Sequence, residues 1–303
     1  MNKVIRIGTR DSELALWQAN TVKNALTKLG HEAELVPVKS QGDLNLDQPL
    51  YEMGITGIFT KTLDVAMLTG KVDIAVHSMK DVPTTLPKGI VEAAVLKRAN
   101  TSDILLHKGL DFLDSEGTIA TGSLRRKAQW LNRYPEHNVV DLRGNVNTRM
   151  KKLEESSWNG AIFAAAGLER INLKPDDHLE LGWMLPAPAQ GAMLVVAMEE
   201  DEQSLDALAA LHHFNSAVCV HIEREFLKVL EGGCTAPIGA LATIENETVK
   251  FNGALFSLDG SRKIEVTKEI PLKKIESFGK NCALEILENG GKELMREIRR
   301  VIN

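Results

Sequence analysis

The strongest constraint on the fold is an alternation of strand-like and helix-like segments over the first two hundred residues. In chain order it runs through VIRIG, SELALWQANTVKNALTKLG, AELVPV, KTLDVAMLTG and VDIAVHS. The segment RANTSD (98–103) then indicates a crossing between domains, after which the alternation restarts at GTIATG (117–122) and continues to GAIFAAAG (160–167). Strands that alternate with helices predict α/β units with mainly parallel sheets.

The pattern changes from about residue 194 onward. LVVAME (194–199) resembles one more strand, and a long, largely helical stretch follows until Gly232-Gly233 stops it. The segment 250–270 alternates around Asp259-Gly260, a strong hairpin signal, and a closing helix follows it. These features predict a small α+β third domain.

Composition and charge narrow the class of protein. The chain has 303 residues, about twice a typical domain, so two or three domains are expected. Its formal net charge of −5 argues against nucleic acid as a general partner. The sequence shows no obvious exposed apolar face, so we expect a monomer. There is no apolar signal core and no apolar run long enough to span a bilayer. Three cysteines without a C-x-x-C pair argue against a disulfide framework or a zinc site, and we expect a cytoplasmic protein.

Three strand–loop–helix junctions share one polar character: GTRDS (8–12), TGSLRR (121–126) and LRGNVNTR (142–149). Ser12 and Ser123 stand where helix N-caps belong. Free backbone N–H groups and the positive end of the helix dipole face the same opening at such a junction. Arginine adds a planar fork suited to carboxylate or phosphate. The junctions therefore predict anion binding.

Positive charge is concentrated in residues 118–152. This segment holds eight basic residues and two acids, in a chain whose net charge is −5. A basic region in an acidic protein indicates a discrete polyanionic ligand. We interpret Lys127, Arg133, Lys151 and Lys152 as solvated helix faces. Nucleotide binding lacks support, because neither G-x-x-x-x-G-K-[ST] nor G-x-G-x-x-G occurs in the sequence.

The stretch HSMKDVPT (77–84) follows the apolar segment VDIAV. It brings Lys80 and Asp81 to the carboxyl end of a strand, where α/β folds place ligands. An ordinary surface Lys–Asp pair before a turn would produce the same pattern. His77 is interpreted as a packed, hydrogen-bonded histidine. Asp81 is therefore a candidate for chemistry by its position.

Cys234 differs from the other two cysteines. Cys219 and Cys282 lie in apolar helical settings that suit a small buried hydrophobe. Cys234 lies in EGGCTAPIG (231–239), after glycines that permit unusual backbone angles and before Pro237, which stiffens the exit. A thiol on such a loop is either a nucleophile or an attachment point, and spacing alone leaves both open.

Seven stretches together resemble the porphobilinogen deaminase (hydroxymethylbilane synthase) family, in family order from residue 7 to residue 239. They are IGTRDSELALWQA, VDIAVHSMKDVPT, TGSLRRKAQ, LRGNVNTR, AAAGLERI, LPAPAQGA and EGGCTAPIG. The resemblance implies an α/β fold of two lobes similar to periplasmic binding proteins, with a small α+β third domain that carries the cysteine. The implied domains are residues 1–98 with 192–212, residues 99–191, and residues 213–303.

The resemblance also implies an activity. A transferase of this family condenses four porphobilinogen molecules stepwise into the linear tetrapyrrole hydroxymethylbilane, with loss of four ammonias, as a step of porphyrin and heme biosynthesis. In the family a dipyrromethane cofactor, built from the substrate, is attached to the loop cysteine, here Cys234, through a thioether bond. The implied partners are porphobilinogen and the growing chain, which accumulates carboxylates; no metal is implied.

Carried over residue by residue, the resemblance makes Asp81 the catalytic carboxylate. Besides Cys234, the residues implied for the cofactor are Ser12, Lys80, Asp81, Ser123, Arg125, Arg126 and Arg143. The residues implied for the substrate are Arg10, Ser12, Arg143, Arg149, Arg170 and Gln190.

The sequence departs from the common family pattern at three points. Ala189 stands where a glycine is frequent, and Gly122 where a hydroxyl residue is often found. Thr56 replaces a lysine in the glycine stretch 54–59, which lies in a long segment around 42–60 that we interpret as a lid. The alternative functions are a two-lobed, non-catalytic anion-binding protein, which would not explain the loop cysteine, and a cysteine-nucleophile hydrolase.

Overall fold

The computed structural model describes residues 3–39, 60–230 and 236–302. Cys234, Thr56 and the interpretation of residues 42–60 as a lid therefore lie outside the described residues, apart from Thr60 at the edge of that segment. Within the described ranges, residues 3–39, 60–99 and 191–218 belong to a first compact unit. Residues 100–190, 219–230 and 236–302 belong to a second compact unit.

The regular elements follow one another in an α/β order and then in an α+β order. The strands are β1 (Ile5–Thr9), β2 (Ala33–Pro37), β3 (Ile74–Ser78), β4 (Ile90–Val95), β5 (Asp103–His107), β6 (Thr118–Ala120), β7 (Asn138–Val140), β8 (Gly160–Ala164), β9 (Leu179–Glu180), β10 (Met193–Met198), β11 (Ile238–Glu245), β12 (Thr248–Phe256) and β13 (Lys263–Pro271). The helices are α1 (Glu13–Lys28), α2 (Lys61–Leu68), α3 (Leu124–Arg133), α4 (Val146–Glu155), α5 (Ala165–Arg170), α6 (Glu202–Ala209), α7 (Phe214–Val229), α8 (Phe278–Ile286) and α9 (Lys292–Ile302).

The first unit contains a sheet of strand order β2-β1-β3-β10-β4. Helix α1 buries Ala19, Val22 and Leu26, whose spacing places them on one side of the helix, against Ile5 and Ile7 of β1. Strand β1 runs parallel to β2 and β3, whereas β10 runs antiparallel to both β3 and β4. Four of the five strands therefore run in the same direction, as the alternation predicted, and β10 alone is reversed.

The second unit contains a sheet of strand order β7-β6-β8-β5-β9. Strand β6 is parallel to β7 and β8, while β5 is antiparallel to β8 and β9. The amino end of β5 therefore lies at the same edge as the carboxyl ends of β6, β7 and β8, with Asp103 opposite Ala164. This reversal, which the alternation of segments did not reveal, brings an acidic residue to the edge where the basic junctions lie.

The C-terminal part of the second unit is an antiparallel sheet of order β11-β12-β13, covered by helices. The hairpin predicted around Asp259-Gly260 is confirmed, since β12 pairs with β13 on either side of it. Phe251 of β12 packs edge-on against Phe226 of α7 and Phe278 of α8, with ring centroids 5.2 and 6.0 Å apart. The predicted fold class, two α/β blocks and a small α+β domain, is confirmed.

Two details of the predicted elements are wrong. The single closing helix is two helices, α8 and α9, with a kink where Gly290 adopts a φ of 100°. The second half of GAIFAAAG is helical, since β8 ends at Ala164 and α5 begins at Ala165. The stretch after residue 201 is largely helical, as predicted, and consists of α6 and α7 in the described ranges. None of the helices in the described ranges combines the length and the apolar character that crossing a bilayer requires.

Candidate functional site

In the first unit, four predicted site residues follow two neighbouring parallel strands. Strands β1 and β3 are paired with Gly8 opposite Ala75, so their carboxyl ends lie side by side. Arg10 and Ser12 come directly after β1. Lys80 and Asp81 lie in the single 3₁₀ turn Met79–Asp81 that follows β3. The sheet register therefore brings together residues that are seventy positions apart in the sequence.

Backbone-directed hydrogen bonds hold these two strand ends. Thr9 Oγ1 donates to the carbonyl oxygens of Arg10 and Ala15, at 3.1 and 3.0 Å, and so ties the end of β1 to the start of α1. Gln18 of α1 donates through Nε2 to Ser78 Oγ at 2.9 Å, which anchors the end of β3. Ser12 occupies the N-cap position of α1, as predicted, without a side-chain capping hydrogen bond.

Asp81 lies on this edge as a half-buried carboxylate. Among the residues that the structure describes, none forms a hydrogen bond or an ion pair with its side chain. The backbone beneath it is fixed, because Val82 N donates to Met79 O at 3.1 Å and Met79 N donates to Ala192 O at 3.0 Å. A carboxylate with open acceptor positions on a fixed turn can bind an N–H donor of a ligand.

His77 lies directly before this turn and is buried, with 6% of its surface exposed. Burial, together with the charge of Arg10, lowers the pKa of His77 to about 4, so that the ring is neutral at neutral pH. Its Nε2 atom is buried without a hydrogen-bond partner among the described residues. The interpretation of His77 as a packed side chain is supported by its burial.

In the second unit, the basic junctions follow three adjacent strands. Strand β6 lies between β7 and β8 and is parallel to both, so the three carboxyl ends share one edge. The predicted site residues placed after these strands or on the helices that follow are Ser123, Arg125, Arg126, Arg143, Arg149 and Arg170. Ser123 accepts a hydrogen bond from Arg126 N at 3.4 Å as the N-cap of α3, as its position predicted.

Arg125 and Arg126 converge on one carboxylate that sequence reasoning missed. Asp103, whose exposed fraction is 0%, accepts from Arg126 Nε and Nη2 at Oδ1, at 3.0 and 2.7 Å. Arg125 Nη1 lies 2.7 Å from the other oxygen, Oδ2. Burial opposes ionisation of Asp103, but the two guanidinium charges outweigh it and hold the pKa of this carboxyl well below its usual range. Two buried cations and one anion leave a net positive charge at the sheet edge.

The two arginines also bond to the backbone around them. Arg126 Nη1 donates to Ile162 O at 3.0 Å, and Arg125 Nη1 donates to Leu185 O at 2.5 Å. Burial lowers the pKa of Arg125 more than the charge of Asp103 raises it. The Nε atom of Arg125 is buried and has no hydrogen-bond partner among the described residues. An unsatisfied cationic donor of this kind fits an acceptor supplied by an anionic ligand.

Of the remaining predicted arginines at this edge, Arg143 is as buried as the pair, whereas Arg149 and Arg170 are partly exposed. Arg149 donates through Nε to Gly144 O at 2.7 Å, within the turn that precedes α4. Burial lowers the pKa of Arg170 to about 10 and also lowers the pKa of Arg143, which leaves Arg170 charged at neutral pH. These arginines, together with the buried pair, form a cationic edge of the kind that carboxylate groups require.

Gln190, a predicted substrate-binding residue, lies in the buried part of this network. Its Nε2 donates to Thr101 O at 2.8 Å and to Asp103 Oδ1 at 2.9 Å, and its exposed fraction is 0%. Its amide nitrogen thus bonds to the same oxygen of Asp103 that Arg126 does. The signal that could have revealed Asp103 is its place at the end of the predicted crossing RANTSD, where it is the first residue of the apolar strand DILLH.

Two departures from the family pattern have structural explanations. Ala189 adopts a φ of 63°, the left-handed region that favours glycine, and is completely buried. At Gly122, an added Cβ would lie 2.6 Å from Leu142 O, so the turn after β6 approaches the turn after β7 too closely for a side chain. A residue with a side chain at position 122 would therefore require the two turns to move apart.

Two family models and several curated relatives match most of the chain. The family described as "Porphobilinogen deaminase, dipyromethane cofactor binding domain" matches residues 5–206, and the one described as "Porphobilinogen deaminase, C-terminal domain" matches residues 217–288. A porphobilinogen deaminase of Syntrophotalea carbinolica is 40% identical over 97% of this chain and 96% of its own length. The porphobilinogen deaminase of Desulforamulus reducens is 40% identical over 99% of each chain.

Solved structures show a more distant likeness. The methionine binding protein MetQ superimposes with a TM-score of 0.45 and 13% identity, over 76% of this chain and 96% of its own. A periplasmic substrate-binding protein of an ABC transporter from Coxiella burnetii gives a TM-score of 0.44 and 14% identity, over 71% and 95%.

Proposed function

Because the chain belongs to the porphobilinogen deaminase family, we propose that it condenses four porphobilinogen molecules stepwise into hydroxymethylbilane and releases four ammonia molecules. It is a transferase of tetrapyrrole biosynthesis with a dipyrromethane cofactor binding domain. In each condensation the C–N bond of an aminomethyl group breaks, a C–C bond to a pyrrole carbon forms, and that carbon loses a proton. Water supplies the hydroxyl group of the released product.

The observation that carries the proposal is the buried arginine pair at the edge of the second sheet. Porphobilinogen bears an acetate and a propionate, so every added unit brings two more carboxylates. Arg125 and Arg126 are preset by Asp103, and Arg125 Nε is left unsatisfied among the described residues. We assign them, with Ser123 and Arg143, to the carboxylates of the cofactor. Arg149 and Arg170, at the margin of the same edge, take those of the substrate or growing chain.

The first unit supplies the reacting carboxylate in this proposal. Loss of ammonia from the substrate leaves a positive charge delocalised over its pyrrole ring. Asp81 accepts a hydrogen bond from the pyrrole N–H and stabilises that charge. The same carboxylate passes a proton to the leaving amine and takes one from the coupled ring carbon. Arg10, Ser12 and Lys80 bind carboxylate groups near it.

Cys234 is the proposed attachment point of the dipyrromethane. When bound, this group supplies the free pyrrole carbon to which the first substrate unit is joined. The other two cysteines are unsuited to the role because both are buried, and burial raises the pKa of Cys282 to about 11, which keeps it as a thiol. We also propose that the enzyme acts as a cytoplasmic monomer.

The test is the intact mass of the purified protein beside its Cys234→Ser variant. We expect the wild-type chain to carry a surplus equal to two linked pyrrole units and the variant to carry none. Cys282→Ser is the matched control and should retain the surplus. Activity towards porphobilinogen, followed as ammonia released, should be lost with the surplus.

An unmodified wild-type mass that persists after incubation with porphobilinogen would reject both the cofactor and the activity, in favour of a non-catalytic anion-binding protein. A surplus that remains in Cys234→Ser and disappears in Cys282→Ser would move the attachment point to Cys282.

A further inference from the structure

One short loop of the second unit contacts both the helix that carries the arginine pair and the sheet that follows Cys234. We call residues 185–190, LPAPAQ, the proline loop. On one side it bonds to α3: Gln129 Nε2 donates to Leu185 O at 2.9 Å, and Leu185 N donates to Gln129 Oε1 at 2.8 Å. Arg125 Nη1 donates to the same carbonyl oxygen. The proline loop is thus fastened to the helix that holds the buried cations.

On its other side the proline loop bonds to strand β11. Ala240 N donates to Pro186 O at 3.0 Å. Gly239 lies so close that an added Cβ would be 2.7 Å from Leu185 Cβ and 3.0 Å from Leu185 O. The first residue of β11, Ile238, comes only four positions after Cys234 in the sequence. The first residues of β11 are therefore held against the proline loop.

A buried carboxylate joins the same two elements. Glu223 of α7 has an exposed fraction of 0%. Its Oε2 accepts from Ala189 N at 2.7 Å, and its Oε1 accepts from Ala242 N of β11 at 2.7 Å. Ala189 is the residue of the proline loop that holds a φ of 63°, a conformation that is unfavourable for any residue with a Cβ. The strained residue itself therefore donates the hydrogen bond to Glu223.

The residue after Ala189 belongs to the hydrogen-bond network of Asp103. Gln190 follows Ala189, and its side chain donates to Asp103, which in turn holds Arg125 and Arg126. A change in the backbone direction at Ala189 would therefore turn the Gln190 amide away from Asp103. The same change would release one of the bonds between the proline loop and the rest of the unit.

We propose that Glu223 is a positioning residue for the buried arginine pair: it holds Ala189 left-handed and ties the proline loop to β11, which keeps the Gln190 amide on Asp103. The inference rests on the proposed function, because it needs the arginines to bind the carboxylates of the dipyrromethane. Glu223 itself is buried and acts through the backbone of Ala189 and of β11. A misplacement of a ångström between groups that share a ligand costs rate even when folding survives.

The test replaces Glu223 by glutamine, which is nearly isosteric. An amide has only one acceptor oxygen, so its NH₂ group faces one of the two backbone N–H groups and that bond is lost. We expect the fraction of chains that carry dipyrromethane, measured by intact mass, to fall. We also expect kcat per modified chain to fall about tenfold to a hundredfold at a temperature well below the unfolding transition.

Rescue separates positioning from general stability. Because glycine adopts the left-handed conformation freely, Ala189→Gly in the Glu223→Gln background should restore kcat by at least about fivefold. Ser277→Gly is the matched control, since Ser277 is also left-handed, with a φ of 55°, and lies far from the proline loop in the sequence. It relieves comparable backbone strain and should restore no turnover.

Two results would overturn the inference: wild-type modification and turnover in Glu223→Gln, or rescue that is equal for Ala189→Gly and Ser277→Gly, including no rescue by either. If Glu223→Gln yields only unfolded chains, Glu223→Asp takes its place with the same second substitutions, since its shorter side chain reaches one N–H group at most. Failure of the proposed function would differ, because the wild-type chain would then lack dipyrromethane.

Discussion

The two α/β sheets present polar residues at the same place, the carboxyl ends of parallel strands, but the burial of their charged side chains differs. In the first unit, Arg10, Lys80 and Asp81 are half-buried on short turns. In the second unit, Arg125 and Arg126 are buried and neutralised in part by Asp103. One edge therefore keeps its charges near water, while the other fixes them inside the protein.

The difference assigns a separate task to each edge. Burying two guanidinium groups is unfavourable unless a counter-charge and hydrogen bonds accompany them. Asp103 provides the counter-charge and still leaves one positive charge in excess. The Asp81 carboxylate has no partner among the described residues and can accept a hydrogen bond from a ligand. We therefore propose that the second unit binds carboxylates and that the first supplies the reacting group.

The largest effect should follow from removing the buried counter-charge. Asp103→Asn leaves two unneutralised arginines in the interior, and we expect the free energy of unfolding to fall by about 3–5 kcal/mol. Asp73→Asn is the control in the first unit. Asp73 binds Arg6 at 2.8 Å, but 32% of the Arg6 side chain is exposed, so this loss should be only about 1–2 kcal/mol. Urea unfolding of both variants measures the comparison, and equal losses would contradict it.

A large effect on rate, with little effect on stability, should follow from displacing the first unit's carboxylate. Asp81→Glu keeps the charge but moves it by one methylene, and we expect kcat to fall by about 10²- to 10³-fold. The circular dichroism spectrum and the unfolding midpoint should stay close to those of the wild-type chain. Asp114→Glu, an exposed exchange of the same kind, should retain full turnover. Wild-type turnover in Asp81→Glu would remove Asp81 from the mechanism.

The smallest effect should appear as a pH dependence of stability at His77. The folded chain keeps this ring neutral until about pH 4, whereas the unfolded chain takes up a proton near pH 6.5. The unfolded state therefore binds more protons between these values, and stability falls as the pH drops through that window. Between pH 7 and pH 4.5 we expect the wild-type chain to lose about 2–3 kcal/mol more than His77→Gln. Urea unfolding at each pH measures the free energy of unfolding, and the same pH dependence in the wild-type chain and in His77→Gln would refute this account.

Local patterns in the sequence predicted most of the elements and the placement of the basic junctions. Ser123 lies at the N-cap of α3, and Asp259-Gly260 lies in the hairpin between β12 and β13, because both signals act within a few residues. Arg125 and Arg126 could be proposed as anion-binding residues from their junction, and the resemblance assigned them to carboxylates. Their burial could not be predicted, since burial depends on what packs around a helix.

What the sequence determined by itself was the alternation of strands and helices, the position of the polar junctions and the loop cysteine as a special thiol. Only the tertiary structure decided that Asp103 meets the arginines, because the antiparallel course of β5 brings its first residue to the edge where the parallel strands end. It alone revealed Ala189 as left-handed and Glu223 as its partner. These contacts join residues from different strands, loops and helices, and no pattern within one segment records which distant group it will meet.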